Sequence, residues 1–252
     1  MQGFLPIAVI PVYNHPDTIG PMVEGVLQSG LPCLLVDDGS EPRCAAVLEA
    51  LAARHQPQVQ LLRLAQNQGK GGAVMAGLRQ ALAQGYSHAL QIDADGQHAV
   101  ADIPAFVDQA RKHPQAMVCG APVYDASVPK GRLYGRYLTH VWVWINTLSL
   151  DIRDAMCGYR VYPLPATVAV LDSATIGRRM EFDIEVLVRM HWRGLRFVTQ
   201  STAVTYPQDG LSHFLVWRDN LLISGMHARL FGGMLLRSPW LLVRKLIGRR
   251  AA

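Results

Sequence analysis

Short apolar runs that do not alternate with polar positions recur through the first half of the chain, each followed by a longer stretch patterned like a helix. The runs are Ile7–Val12, Pro32–Val36, Val59–Leu64, Ala89–Ile92 and Ala116–Cys119. Continuous apolarity over so few residues is what a strand buried on both faces requires. The stretches between them, near 17–29, 41–55, 70–84 and 101–112, read as helices, with Asp17, Ser40 and Asp102 placed where a cap or first-turn acid helps. The alternation predicts an α/β fold, a mostly parallel sheet with right-handed crossovers and helices on both faces. Farther on, an aromatic helix-like stretch covers 137–150 and another ends near Trp192. Two amphipathic-looking stretches, 213–231 and 235–250, close the chain. The expected division is a domain over 1–212 and a helical tail over 213–252.

Composition supports this picture and narrows it. The chain has 252 residues, half of them apolar and 17% charged, which supplies a sizeable core and excludes wholesale disorder. The N-terminus lacks the basic and long apolar segments of a secretory signal, and the apolar stretches are too short or too interrupted to span a membrane. Cys33, Cys44, Cys119 and Cys157 have no metal-ligand spacing and read as reduced structural thiols of a cytoplasmic protein. Charge is uneven. Arg218, Arg229, Arg237, Arg244, Lys245, Arg249 and Arg250 stand against a single acid, Asp219, and outweigh the whole net charge of +5. The body is therefore close to neutral and nucleic acid is not an expected partner. The tail is read either as a packed helical hairpin or as an anchor on an anionic membrane surface at the inner face of the cytoplasmic membrane.

In a sheet of this kind ligands sit beyond the carboxyl ends of the strands. Four polar segments collect there: Pro11-Val12-Tyr13-Asn14, Asp37-Asp38-Gly39-Ser40, Asn67-Gln68-Gly69-Lys70-Gly71-Gly72 and Asp93-Ala94-Asp95-Gly96-Gln97-His98. On an extended chain Asp93 and Asp95 face the same way, and two carboxylates so close call for a cation between them. A hard divalent ion that keeps positions open for phosphate oxygens suits them. The calcium-loop reading fails, because a strand precedes the motif and the final carboxylate ligand is missing. The Walker reading fails too, since Gly71 follows Lys70 where Ser or Thr is needed. The dinucleotide fingerprint does not follow the first strand. Ser40 reads as a helix cap, which leaves Asp37 and Asp38 free to accept hydrogen bonds from a base or ribose. Glycines at the start of the third helix would let backbone N–H groups approach a ligand.

The second half of a site is expected over 130–160, where Lys130, Arg132 and Arg136 precede the aromatic stretch and Asp154 and Cys157-Gly158-Tyr159-Arg160 follow it. Glu181 and Glu185 share a helix face and one of them is a candidate general base, while Asp183 points elsewhere. Asp209, Ser212 and His213 match a hydrolase triad in composition only.

As an ordered set, Ile10-Pro11-Val12-Tyr13-Asn14, Val36-Asp37-Asp38-Gly39-Ser40, Asn67-Gln68-Gly69-Lys70-Gly71, Asp93-Ala94-Asp95-Gly96-Gln97-His98 and Gly158-Tyr159-Arg160 resemble a family 2 glycosyltransferase of the GT-A fold. The resemblance covers about residues 5–215 and is strongest to the polyprenyl-phosphate sugar transferases, typified by dolichyl-phosphate mannose synthase. It implies inverting transfer from a UDP- or GDP-linked sugar to a lipid or polyprenyl-phosphate acceptor. Pro11, Tyr13, Asn14, Asp38, Asn67, Lys70 and Asp93 would hold the donor, and Asp93, Asp95 and Gln97 would place Mg²⁺ or Mn²⁺ on its diphosphate. Arg132, Arg136 and Arg160 would contact phosphate. A lipid-phosphate acceptor is already anionic, whereas a hydroxyl acceptor would need Asp154 or Glu185 as base. The family's Arg-x-x-Gly-x-Ser-Lys becomes Pro207-Gln208-Asp209-Gly210-Leu211-Ser212-His213, which removes two cations from the acceptor side. The competing readings are a sugar nucleotidyltransferase and a nucleotide-sugar binding protein without turnover.

Overall fold

In a computed structural model of the protein the described residues are 3–124, 130–204 and 215–250, with the backbone alone at 124, 130–134 and 248–250. The five predicted strands form as β1 (Pro6–Val12), β2 (Cys33–Asp37), β3 (Val59–Arg63), β4 (His88–Gln91) and β5 (Met117–Tyr124). Two more, β6 (Arg160–Pro163) and β7 (Phe197–Val204), complete a seven-stranded sheet in the order β3-β2-β1-β4-β6-β5-β7. Neighbours pair in parallel except at β6, which runs antiparallel to both β4 and β5. The sheet is thus mostly parallel, as the unbroken apolar runs predict, with one reversed strand inserted beside β4.

Alternation along each strand sends side chains into two separate cores. From β1 and β2, Ala8, Ile10, Val12, Cys33 and Leu35 join the core beneath α1 (Ile19–Gln28), α2 (Pro42–Arg54) and α4 (Ile103–Lys112). Ile7, Val9, Leu34 and Val36 point the other way. They meet α3 (Lys70–Ala83), α6 (Leu164–Asp172) and α7 (Phe182–Trp192). α5 (Lys130–Thr147) begins seven residues before the expected 137 and packs on α7.

The tail differs from its expectation. The two stretches 213–231 and 235–250 are one continuous helix, α8 (Val216–Arg250), with Pro239 inside it. Proline has no N–H for the carbonyl four residues back. The Ser238 hydroxyl donates to that Leu235 carbonyl instead, at 2.9 Å, so the helix continues. Ile223, Met226 and Leu230 enter the same core as α3 and α7. Four of the tail's cations turn inward: Arg229 to Glu185 (3.5 Å), Arg237 onto the Trp192 ring (4.7 Å), and Arg244 and Lys245 to the carbonyls of Trp192 (3.2 Å) and Leu148 (3.0 Å). They fasten α8 to the body. The expected boundary at 212, and the Pro207–His213 segment with it, lies outside the described residues. Among the described residues no helix is long and apolar enough to cross a membrane.

Candidate active site

The rim is built by loops that fasten one another. Asn14, at φ +56°, accepts the Glu41 N–H on its side-chain oxygen (2.8 Å), and its own N–H donates to the Ser40 hydroxyl (3.1 Å). Ser40 therefore ties β1 to β2 rather than capping α2, whose N-cap is Glu41. Asp37 is also structural, since its carboxylate accepts the Ser40 N–H at 2.8 Å and lies 3.4 Å from Arg63. Asp38 accepts the Gln68 N–H at 2.7 Å and links the second rim loop to the third. Burial pushes the Asp38 carboxyl up to about 6, against the pull of its backbone N–H partners. Asn67 is exposed and accepts the Gly69 N–H at 3.1 Å, while Pro11 and Tyr13 are half-buried.

The glycines that open α3 serve packing. A Cβ on Gly69 would sit 2.6 Å from the Arg178 carbonyl oxygen, and one on Gly71 would sit 2.8 Å from Phe182 Cγ. The Gly72 N–H donates to that same carbonyl at 2.8 Å. The segment 178–182 thus occupies the space in which the sequence led us to expect a ligand, and it brings Arg179 near Asp38.

Lys70 occupies the centre. Its ammonium lies 2.7 Å from Asp93 Oδ2 and 2.8 Å from Asp183 Oδ2. The Gln91 amide bridges the other oxygens of the same two carboxylates, at 3.5 and 3.4 Å, and accepts the Tyr162 hydroxyl at 2.8 Å. Burial alone would raise Asp93, yet the charges of Lys70 and His98 and the hydrogen bonds from Lys70 and Gln91 together outweigh it and hold the carboxyl below its usual range. Asp95 goes the other way, raised by burial and then by the charge of Asp93. Asp183, expected to point elsewhere, is the acid of its helix that reaches the site.

Asp93, Asp95, Gln97, His98, Arg136 and Gly158 line one cleft. Gly158 belongs there for a steric reason. A Cβ on it would collide with Asp93 Oδ2 and come within 2.8 Å of Oδ1. Gly158→Ala is therefore expected to displace the Asp93 carboxylate and lower turnover by about 100-fold, the cost of a misplacement near 1 Å. Steady-state kinetics with an unchanged far-UV spectrum checks this, and wild-type turnover would refute it.

The donors fit a cation. Asp93, Asp95 and the Gln97 amide supply hard oxygens, and a positive charge between the two carboxylates would relieve the repulsion that raises Asp95. Among the described residues no group of three or more His, Cys, Asp or Glu side chains encloses such a position. An open donor set of this kind matches an ion that completes its shell with substrate phosphates.

On the acceptor side the structure corrects several expectations. Asp154 is nearly buried, accepts both arms of Arg136 at 2.6 Å, and also accepts the N–H groups of Met156 (2.9 Å) and Cys157 (2.8 Å). Against the cost of burial, His140 and Arg136 hold it well below the usual carboxylate range. It positions Arg136 at the cleft and is a poor base. Glu185 is wholly buried among Arg189, Arg229 and the Gly177 N–H, away from the cleft lining. Arg160 is also wholly buried, donating to the carbonyls of Asp183 (2.7 Å) and Ala155 (2.9 Å), so it supports the site from beneath and does not touch phosphate. The Arg132 side chain lies outside the described residues. Burial pushes the Cys157 thiol up to about 12, which rules it out as a nucleophile.

The family profile described as Glycosyl transferase family 2 matches residues 7–164. The undecaprenyl-phosphate mannosyltransferase of Micrococcus luteus is 27% identical over 202 residues, 76% of this chain and 80% of that protein. The polyprenol monophosphomannose synthase of Mycolicibacterium smegmatis is 27% identical over 224 residues, 82% and 79% of the two chains. In fold, the chain is similar to the glucosyl-3-phosphoglycerate synthase of Mycobacterium tuberculosis crystallised with Mn²⁺ and UDP-glucose. That likeness has a TM-score of 0.65 at 15% identity and covers 93% of this chain and 79% of the other.

Proposed function

This chain belongs to glycosyl transferase family 2, and we propose that it moves a sugar, with inversion, from a UDP- or GDP-linked donor to a lipid-phosphate acceptor. The observation that carries the proposal is the cleft itself, whose lining includes Asp93, Asp95 and Gln97 together with Arg136. The first three suit a metal-bound diphosphate and the guanidinium suits an anion. Asp38, Asn67 and Tyr13 on the rim would take the nucleoside.

A bound Mg²⁺ or Mn²⁺ would offset the charge gathering on the departing nucleoside diphosphate. Asp93, Asp95 and Gln97 would hold it, and Lys70 keeps Asp93 ionised for that purpose. Arg136, braced by Asp154, would orient the acceptor phosphate. An acceptor phosphate oxygen then forms its bond to the sugar C1 as the bond from C1 to the donor phosphate oxygen breaks. The bonding pair leaves with the nucleoside diphosphate. No proton has to be removed, which agrees with a site whose nearby carboxylates Asp93 and Asp154 are both engaged by cations. The engagement of Asp93 and Asp154 by Lys70 and Arg136 favours a phosphate acceptor over a hydroxyl.

The test is incubation of the full chain with labelled UDP- and GDP-sugars, Mn²⁺ and a polyprenyl phosphate. Label is expected on the lipid, and EDTA is expected to prevent it. Pyrophosphate-dependent turnover of the sugar nucleotide would instead mark a nucleotidyltransferase. Metal-dependent nucleotide binding with no transfer would mark a binding protein.

A further inference from the structure

α5 and α8 form a surface that neither the folding core nor the cleft uses. On α5, Leu138, Val141, Trp142 and Ile145 recur three or four residues apart and remain exposed. On α8, Trp217, Leu221, Phe231, Leu235, Leu242 and Leu246 fall on one side of the helix and are exposed as well. Trp217 is 91% exposed. The Trp142 and Phe231 rings meet edge to face with centroids 6.1 Å apart, which joins the two rows into one apolar face. A face this extended on a soluble chain marks an interaction site.

Two observations identify what covers it. The first is charge. α5 carries no acidic residue, and the single acid of α8, Asp219, is buried with its carboxylate accepting the Leu215 N–H at 2.7 Å. An apolar face free of carboxylates and flanked by the exposed Arg218 complements anionic lipid headgroups. The second is continuity with the cleft. Arg136, which lines the cleft, lies on the same helix, two residues before Leu138 and five before Val141. We infer that the α5–α8 face lies in the headgroup region of an anionic bilayer, holding the cleft mouth against the membrane so that a lipid phosphate enters at Arg136. The inference takes its orientation from the lipid-phosphate reading above. The docking mode is monotopic, through apolar side chains from two helices, with Arg229, Arg237, Arg244 and Lys245 engaged by the protein.

The experiment uses the full chain, because α8 contributes to the core and its removal would unfold the body. Vesicle flotation is compared for phosphatidylcholine alone and phosphatidylcholine with phosphatidylglycerol. The variants are Leu138→Glu/Ile145→Glu on α5 and Leu235→Glu/Leu242→Glu on α8. Wild type is expected to float with the anionic vesicles. Each double variant is expected to lose binding by about tenfold or more, since every glutamate carries charge into an apolar interface. Melting temperature and the Mn²⁺-dependent shift produced by UDP or GDP are expected to stay unchanged. Wild type that does not float, or an α5 variant that floats like wild type, overturns the inference. So does a wild-type dimer in light scattering that both variants convert to monomer, which would make the face a subunit interface. Wild type that floats without transferring sugar to lipid would sink the proposed activity and leave the docking face standing.

Discussion

Asp95→Asn is expected to lower sugar transfer by about 10²–10³-fold, the scale on which a single group opposite the developing charge acts. Asn keeps the side chain's shape and its oxygen acceptor for the Gln97 N–H, now 3.0 Å away. What it removes is half of the negative charge offered to the cation. The same substitution separates a metal role from a structural one. Burial and the neighbouring Asp93 raise the Asp95 carboxyl, so the folded chain binds its proton more tightly than the unfolded chain does. An acid with a raised folded pKa costs stability once the pH exceeds its ordinary value. Removing that charge should therefore leave the metal-free melting temperature at pH 7 the same or slightly higher, while the stabilisation given by Mn²⁺ disappears. A variant that melts early, or one that keeps its Mn²⁺ shift and its activity, would show that Asp95 is a turn residue and no ligand.

Much of this site was legible because its backbone signals are local. Apolar runs ending in Asp37-Asp38 and in Asp93-Ala94-Asp95 placed β2 and β4, and with them the rim. β6 was missed for a physical reason. Arg-Val-Tyr-Pro is short and charged, and its arginine becomes tolerable inside the sheet only because the Asp183 and Ala155 carbonyls receive it. Those partners are distant in sequence. β7 did carry a signal, the β-branched and aromatic residues of Phe197–Val204, but their polar neighbours fit an edge strand and obscured it.

Charged residues were harder to place than strands. Spacing on a helix says which side chains share a face, yet it does not say which face meets the site. Glu181 and Glu185 share one, and the residue between them, Asp183, is the one Lys70 selects. In the tail the count of cations was right and their direction was not. Arg237, Arg244 and Lys245 find ring and carbonyl partners on the body, which leaves the outer face to leucine and tryptophan. A sequence shows that a helix is amphipathic, but the partner surface decides which of its faces is covered.

The largest effect on stability is expected from Lys70→Met. Methionine fills much of the same volume but removes the ammonium shared by Asp93 and Asp183, leaving the Gln91 amide between them and Arg160 3.6 Å from Asp183. Stripping one partner from a buried ion pair costs about 3–5 kcal/mol, and for a chain of this size each kcal/mol lowers the melting temperature by about 2–4 °C. A fall of about 10 °C at pH 7 is the expected result. Its pH dependence is specific. With Lys70 present the Asp93 pKa is depressed, so its contribution is complete above the ordinary carboxylate pKa and is lost as the pH falls through the folded value. Without Lys70, burial prevails and the shift reverses, so protonation relieves the variant while it weakens the wild type. The gap in melting temperature should then narrow steadily from pH 7 toward pH 4. Lys70→Met/Asp183→Asn should recover part of the loss, because the repulsion between the Asp93 and Asp183 carboxylates is gone. A gap that stays constant with pH, or a double variant no more stable than the single one, would mean that Lys70 contributes packing and that the charge network does not hold this site together.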